Sequence, residues 1–189
     1  AVIIDAKGQE HEVECLLGAN EIYDIVKFQV SGKTAAAPLA ATVSAGDEAW
    51  VTPMSKSGNA EKADVSNVEK FMDKYYYTIL KSSATDKLNG APVFNTKGQV
   101  IGLFNSTGES QSSTDANYAK DFIVKGLSQN DITLRQSDIR IGLPNTIEEA
   151  VVALMLSSEK PTNIHEAVVN EFITKFPQAN DGYYALANI

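Results

Sequence analysis

The chain has 189 residues, a net charge of −8, 43% hydrophobic residues and 21% charged residues. That length supports one generous domain and buries about 70% of the unfolded surface without disulfide staples. The composition excludes low-complexity disorder and collagen, the acidic balance argues against a nucleic-acid partner, and no apolar run reaches the ~20 residues of a membrane-crossing helix.

The single cysteine, Cys15, excludes an internal disulfide and a cysteine-based zinc site. With only His11 and His165 as histidines, a His-rich metal site is not expected either, and no cofactor is predicted. Cys15 alternates with Val13 and Leu17, which marks a buried core thiol rather than a reactive one. The chain opens on Ala1-Val2-Ile3-Ile4, without Met and inside what reads as a strand, so a processed or truncated chain is expected.

Residues 1–30 predict three short strands. The first is Val2–Ile4, followed by a turn at Asp5–Gly8. The second is Glu10–Leu17, with its glutamates on one face, and Gly18-Ala19-Asn20 is expected to end it. The third is Ile22–Val30, and Ser31–Ala37 reads as a linker. Residues 38–127 keep the β idiom, with turn signals at roughly ten-residue spacing that indicate a sandwich or barrel. Candidate strands are Leu39–Val43, Ala49–Pro53, Tyr75–Leu80, Val93–Phe94 and Val100–Phe104. Ser55–Asp64 and Ser106–Asn117 are polar and read as exposed loops. Asn95–Gly98 reads as a hairpin turn, with Gly98 at the position that tolerates positive φ.

The idiom changes near Leu143. Thr146 followed by Glu148 and Glu149 is a helix-start signal, and Ile147–Ser157 has helical periodicity. Ile164–Phe176 is a second amphipathic helix, with Ala167, Val168, Phe172 and Ile173 on one face. A third runs from Tyr183 to Ile189. The predicted class is mainly β, with a small helical C-terminal region.

The segment Thr85–Asn105 resembles the nucleophile loop of trypsin-like serine peptidases, especially the bacterial envelope-stress type. That family carries G-N-S-G-G-P-L, then a strand, a turn with Gly, and V-I-G-I. Gly90, Pro92, Val93, Asn95, Gly98, Val100, Ile101 and Gly102 match in register. Asp5–Val30 resembles the family segment that ends in D-L-A-V-L-K-V, with Asp24 at the triad aspartate. Ala45–Val51 resembles the start of the second barrel, and Asn117–Leu127 its closing strand and short helix. The resemblance implies a chymotrypsin-like fold over residues 1–128. Residues 1–34 then hold remnant strands of a first barrel, 35–128 a second barrel of about six strands, and 129–189 a linker and helical region. It also implies an envelope or secreted location. Phe176-Pro177 with Tyr183, Tyr184, Leu186 and Ala187 resembles the junction between two tetratricopeptide helical repeats.

The departures decide the expected chemistry. Asn89 stands in the nucleophile position, and an amide has no hydroxyl for a histidine to deprotonate. Lys87 replaces the glycine that supplies an oxyanion-hole N–H beside the N–H of Asn89 itself. The resemblance places the triad histidine upstream of Ala1, outside this chain; His11 lies in a strand and is a poor substitute, and His165 lies in the helical tail. Asp24, inside an apolar strand, reads either as a degenerate triad acid without its partner or as a carboxylate satisfied by backbone N–H groups, and burial demands some partner. Ser82 and Ser83 read as strand-end serines, and Tyr75–Tyr77 as alternating strand packing. The expected function is a catalytically inactive peptidase homologue that binds peptide or protein. The alternatives are a serine endopeptidase whose activity needs a missing N-terminal segment and a nucleophile not seen here, and a structural scaffold whose cleft is blocked by Tyr and Phe side chains. An exposed strand edge predicts a homodimer.

Overall fold

The computed structural model describes residues 1–5, 7–54, 58–124, 132 and 139–189. It is mainly β, with a few helices at the C-terminal end. The strands are β1 Val2–Ile4, β2 Glu10–Asn20, β3 Ile25–Val30, β4 Ala49–Val51, β5 Glu61–Phe71, β6 Tyr75–Ser82, β7 Pro92–Asn95, β8 Val100–Ser106 and β9 Gln111–Asp115. The helices are α1 Ile147–Ser157, α2 Thr162–Lys175 and α3 Asn180–Ala187. One-turn 3-10 helices lie at Asp86–Leu88 and, in a slightly longer piece, at Ala116–Asp121.

β1, β2 and β3 form an antiparallel sheet in that order. The other six strands close a barrel in the order β4-β5-β6-β9-β8-β7. Val51, Val65, Leu80, Val93, Ile101 and Phe104 from five strands fill the barrel, and a register shift against β7 between Val93 and Phe94 lets Ile101 and Phe104, three residues apart on β8, both face inward. Outside it lies an aromatic layer of Tyr23, Phe71, Tyr75, Tyr118 and Phe122, seated between the three-stranded sheet and the barrel wall. Tyr23 stacks on Phe71 with ring centroids 4.1 Å apart, and Tyr118 meets Phe71 edge-on at 5.2 Å. Tyr75 and Tyr77 join this layer while Tyr76 packs against the barrel core, as alternation predicts.

The helices pack on one another through Leu154, Val169 and Phe172. The segment before α1 ties them to the sheet. Leu16 N–H donates to Arg140 O at 2.8 Å, and Gly142 N–H donates to Leu16 O at 2.8 Å. Glu171 of α2 accepts the Leu143 N–H at 2.8 Å and pairs with the Arg140 guanidinium. Lys175, one turn on, donates to Leu143 O at 2.7 Å.

Several boundaries differ from the sequence expectation. Gly18-Ala19-Asn20 does not end β2, which runs on to Asn20 because register shifts absorb its irregularity against β3. β3 starts at Ile25, and Ile22 stands 86% exposed in the turn before it. Leu39–Val43 is no strand. Only Leu39 bridges to Val100, although Ala40 and Val43 are buried. Both supposed loops carry strands: β5 begins at Glu61, inside the first, and β9 occupies the middle of the second. Ser112, Ser113, Thr114 and Asp115 of β9 are buried, not exposed. Residues 55–57 lie outside the described residues, as do 125–128 at the end of the expected second barrel, with its closing strand and short helix, and 129–131 and 133–138 of the expected linker. On α2 the buried face is Val168, Val169 and Phe172, while Ala167 is exposed, which rotates the predicted stripe by one position. α3 begins at Asn180, earlier than expected.

Candidate functional site

The loop before β7 is built on the short 3-10 turn. Leu88 N–H donates to Thr85 O at 2.9 Å, Asn89 N–H to Asp86 O at 3.0 Å, and Ala91 N–H to Leu88 O at 2.9 Å. These bonds point the backbone donors of the loop back into the loop. Gly90 then takes φ +81°, a left-handed value that favours glycine. It lays the chain along β8, where Gly90 N–H donates to Phe104 O at 2.8 Å and Phe104 N–H donates to Ala91 O at 2.8 Å.

Asn89 itself is exposed, yet its side chain is held at both ends. Its Oδ1 accepts the Ser106 N–H at 2.7 Å, and its Nδ2 donates to Ser106 O at 3.2 Å. Lys87 lies exposed within the 3-10 turn. Asp24 is not inside an apolar strand. It is exposed, ends the turn between β2 and β3, and has φ +49°, a region that aspartate tolerates better than most residues. The buried carboxylate of the sequence expectation is therefore corrected. Asp24 does have a partner: it accepts a hydrogen bond from Asn105 Nδ2 at 2.9 Å. Asp24 and Asn89 are thus brought to neighbouring residues of β8, Asn105 and Ser106.

Both histidines are engaged elsewhere. The His11 ring meets Ser31 O through Nδ1 at 2.9 Å and faces Asp5 Oδ2 through Nε2 at 3.5 Å. The Asp5 carboxyl lies below its usual range, first because it accepts the Gln9 N–H. His165 Nδ1 meets Ser157 Oγ at 2.8 Å inside the helical hairpin. Ser82 and Ser83 bond to Lys62 O and to Glu61 across the β5–β6 pair, as strand-end serines do. Cys15 is buried, and its thiol is pushed up to about 11, first by burial and then by the charge of Glu171.

Two features carried no sequence signal. An open cleft of about 270 Å³ is lined by Lys74, Tyr75, Asp115, Asn117, Lys120 and Asp121. Lys74 bonds Asp121 at 2.6 Å, and Tyr75 donates to the same carboxylate. Asp121 is held below its usual range by Lys74 and then Tyr75. Asp24, Lys87 and Asn89 do not line this cleft. The second is the Glu171 contact with Arg140 and Leu143. Among the described residues, no group of three His, Cys, Asp or Glu is placed to hold a metal ion, and no helix is long and apolar enough to cross a membrane.

No family model and no curated protein matches the chain. Solved structures do. The HtrA-type protease AlgW with a decapeptide superposes with a TM-score of 0.52 at 13% identity, over 63% of this chain and 41% of that one. Deg5 superposes with a TM-score of 0.46 at 14% identity, over 60% of this chain and 61% of that one. The chain thus spans less than half the length of the AlgW chain. The likeness to AlgW, with the closed six-strand barrel, establishes a trypsin-like barrel fold.

Proposed function

We propose that the chain is a catalytically silent trypsin-like domain that binds an extended peptide or protein segment. The observation that carries the reading is Asn89. In the nucleophile position it offers an amide, and that amide is tied to the Ser106 backbone. Its N–H, one of the two expected oxyanion donors, is committed to Asp86 O. Asp24 pairs with Asn105 instead of a histidine, and both histidines have partners elsewhere. A strand-and-barrel frame that has lost its chemistry keeps its surfaces for binding.

The same reading assigns residues 1–34 to remnant strands of a first barrel, 35–128 to the second barrel, and 129–189 to a linker leading into the start of a tetratricopeptide-like array. AlgW is a protease solved with a decapeptide, which supports a peptide as the ligand class. The free edge of β1, with Val2 and Ile4 exposed, is the proposed homodimer contact, and light scattering of a strict monomer at high concentration removes it.

The scaffold reading has one observation of its own. The aromatic layer of Tyr23, Phe71, Tyr75, Tyr118 and Phe122 fills the space between sheet and barrel. One experiment separates the readings. Fluorophosphonate labelling tests for an active serine, and fluorescence anisotropy with labelled unfolded casein tests for binding. No labelling with saturable binding is the expected result. Labelling of any serine overturns the silent reading, and absence of both favours the scaffold.

A further inference from the structure

The edge of β8 that faces β7 is a ladder with an unusual last rung. β7 pairs with β8 as far as Leu103. Gly90 and Ala91 continue the pairing through Phe104. The N–H and C=O of Ser106, two residues on, face the same edge because ladder groups alternate along a strand. Among the described residues no strand continues opposite them, since the chain there has coiled into the 3-10 turn Asp86–Leu88. The Asn89 carboxamide fills the position instead, accepting from Ser106 N–H at 2.7 Å and donating to Ser106 O at 3.2 Å. A carboxamide carries the same donor and acceptor as a peptide unit. Asn89 thus stands in for the next peptide of an adjoining strand.

We infer that Asn89 is a displaceable plug over a two-point main-chain site at Ser106, and that this site takes the backbone of an extended peptide. The inference rests on the peptide-binding reading above and adds its regulation. Two further features suit it. Asn89 is exposed on its outer side, so an incoming strand reaches it without unfolding the barrel. An added Cβ on Gly90 meets nothing within 4 Å, so there is open space beside the loop. The bonds Asn89 makes are neutral, of the kind an incoming backbone replaces one for one.

The test compares the full chain with Asn89→Ala and Asn89→Asp. The probe is a fluorescein-labelled peptide of alternating valine and threonine, with a backbone N-methylated version as control. Removing the plug is expected to tighten binding about tenfold, the worth of one or two net hydrogen bonds. Asn89→Asp keeps the acceptor for Ser106 N–H and loses the donor, so its gain is expected to be smaller. The gain must vanish for the N-methylated peptide, because the site reads main chain. Amide exchange at Ser106 must rise in the alanine variant, which also shows that the barrel is intact. Equal binding by native chain and variants overturns the plug and leaves peptide binding standing. Continued protection of the Ser106 amide in Asn89→Ala overturns it too, since another group then covers the site. Absence of binding by all forms removes the peptide reading and the plug with it.

Discussion

Glu171→Ala is the perturbation that most directly tests how the helices are held to the sheet. Glu171 satisfies two charged contacts at once: it accepts the Leu143 N–H at 2.8 Å and pairs with Arg140, each side chain being 19% exposed. A hydrogen bond to a charged group contributes about 1.5–3 kcal/mol. Stripping one partner from a partly buried ion pair adds the cost of a guanidinium left short of water, though less than the ~3–5 kcal/mol of a fully buried pair. The expected loss is therefore about 2–4 kcal/mol. Glu171→Gln keeps an acceptor for Leu143 and is expected to cost about half as much. Urea unfolding measures the loss. Amide exchange at Leu16 and Gly142 localises it, because those two N–H groups bond across the junction. A variant within ~0.5 kcal/mol of the native chain, with both amides still protected, refutes the idea that Glu171 holds the junction.

Gly102→Ala is expected to be severe, because an added Cβ meets Thr114 O at 2.4 Å and Ser113 Oγ at 2.9 Å inside a closed barrel. A loss of at least about 3 kcal/mol is expected in urea unfolding, and a loss under ~1 kcal/mol shows that β8 and β9 yield more than the packing implies. Cys15, with its thiol pushed up to about 11, stays protonated at pH 8 and is expected to react with a thiol reagent only in denaturant. Rapid modification of the folded chain counts against its burial. Asp5 is lowered from its ordinary value of 3.8, chiefly by the Gln9 N–H, so its contribution is present above that value and fades as pH falls through the folded value. Carboxyl chemical shifts and Gln9 amide exchange, followed down the acid limb, are expected to change together. Independent transitions refute the coupling.

The sequence read the barrel best where its chemistry was loud. Asn95–Gly98 formed the expected turn, with Gly98 at φ +72°, and β7 and β8 flank it. β5 was invisible for a physical reason. It presents Ala63 and Val65 to the barrel core, packs Val68 against it and turns Phe71 to the aromatic layer, but the rest is charged or polar, and a register shift between Val65 and Asn67 breaks its alternation. β9 was missed because Gln-Ser-Ser-Thr-Asp carries no apolar signal at all. It is buried because β6 and β8 flank it, and its hydroxyls find partners there, as Ser113 does with Thr78 at 2.5 Å. At the candidate site, the loop that carries Asn89 was legible, but the side chain's partner was not. A side chain reaching a backbone 17 residues away leaves no periodicity to detect. Asp24 was misplaced for the opposite reason: the apolar run Ile25-Val26 extended the apparent strand backwards across a turn that only its φ of +49° reveals.

Asn89→Ser asks whether the loop is one residue short of chemistry or organised around having none. A serine hydroxyl at position 89 cannot duplicate the two-point grip on Ser106, since one oxygen replaces an acceptor and a donor set apart by the width of an amide. The loop loses one or both of those bonds, worth about 0.5–1.5 kcal/mol each. The backbone obstacle remains, because the N–H at position 89 still points to Asp86 O. Neither histidine is placed to take a proton: His11 is held between Ser31 O and Asp5, and His165 by Ser157 in the helices. Fluorophosphonate is therefore expected to leave the serine variant of this chain unlabelled, with stability lower by roughly 1–2 kcal/mol. Labelling at position 89, mapped by mass spectrometry, refutes this. It means that the Asp86 carbonyl turns away readily and that some base reaches the loop. The proposed silence of the domain then lies in a single side chain, and not in the fold of the loop around it.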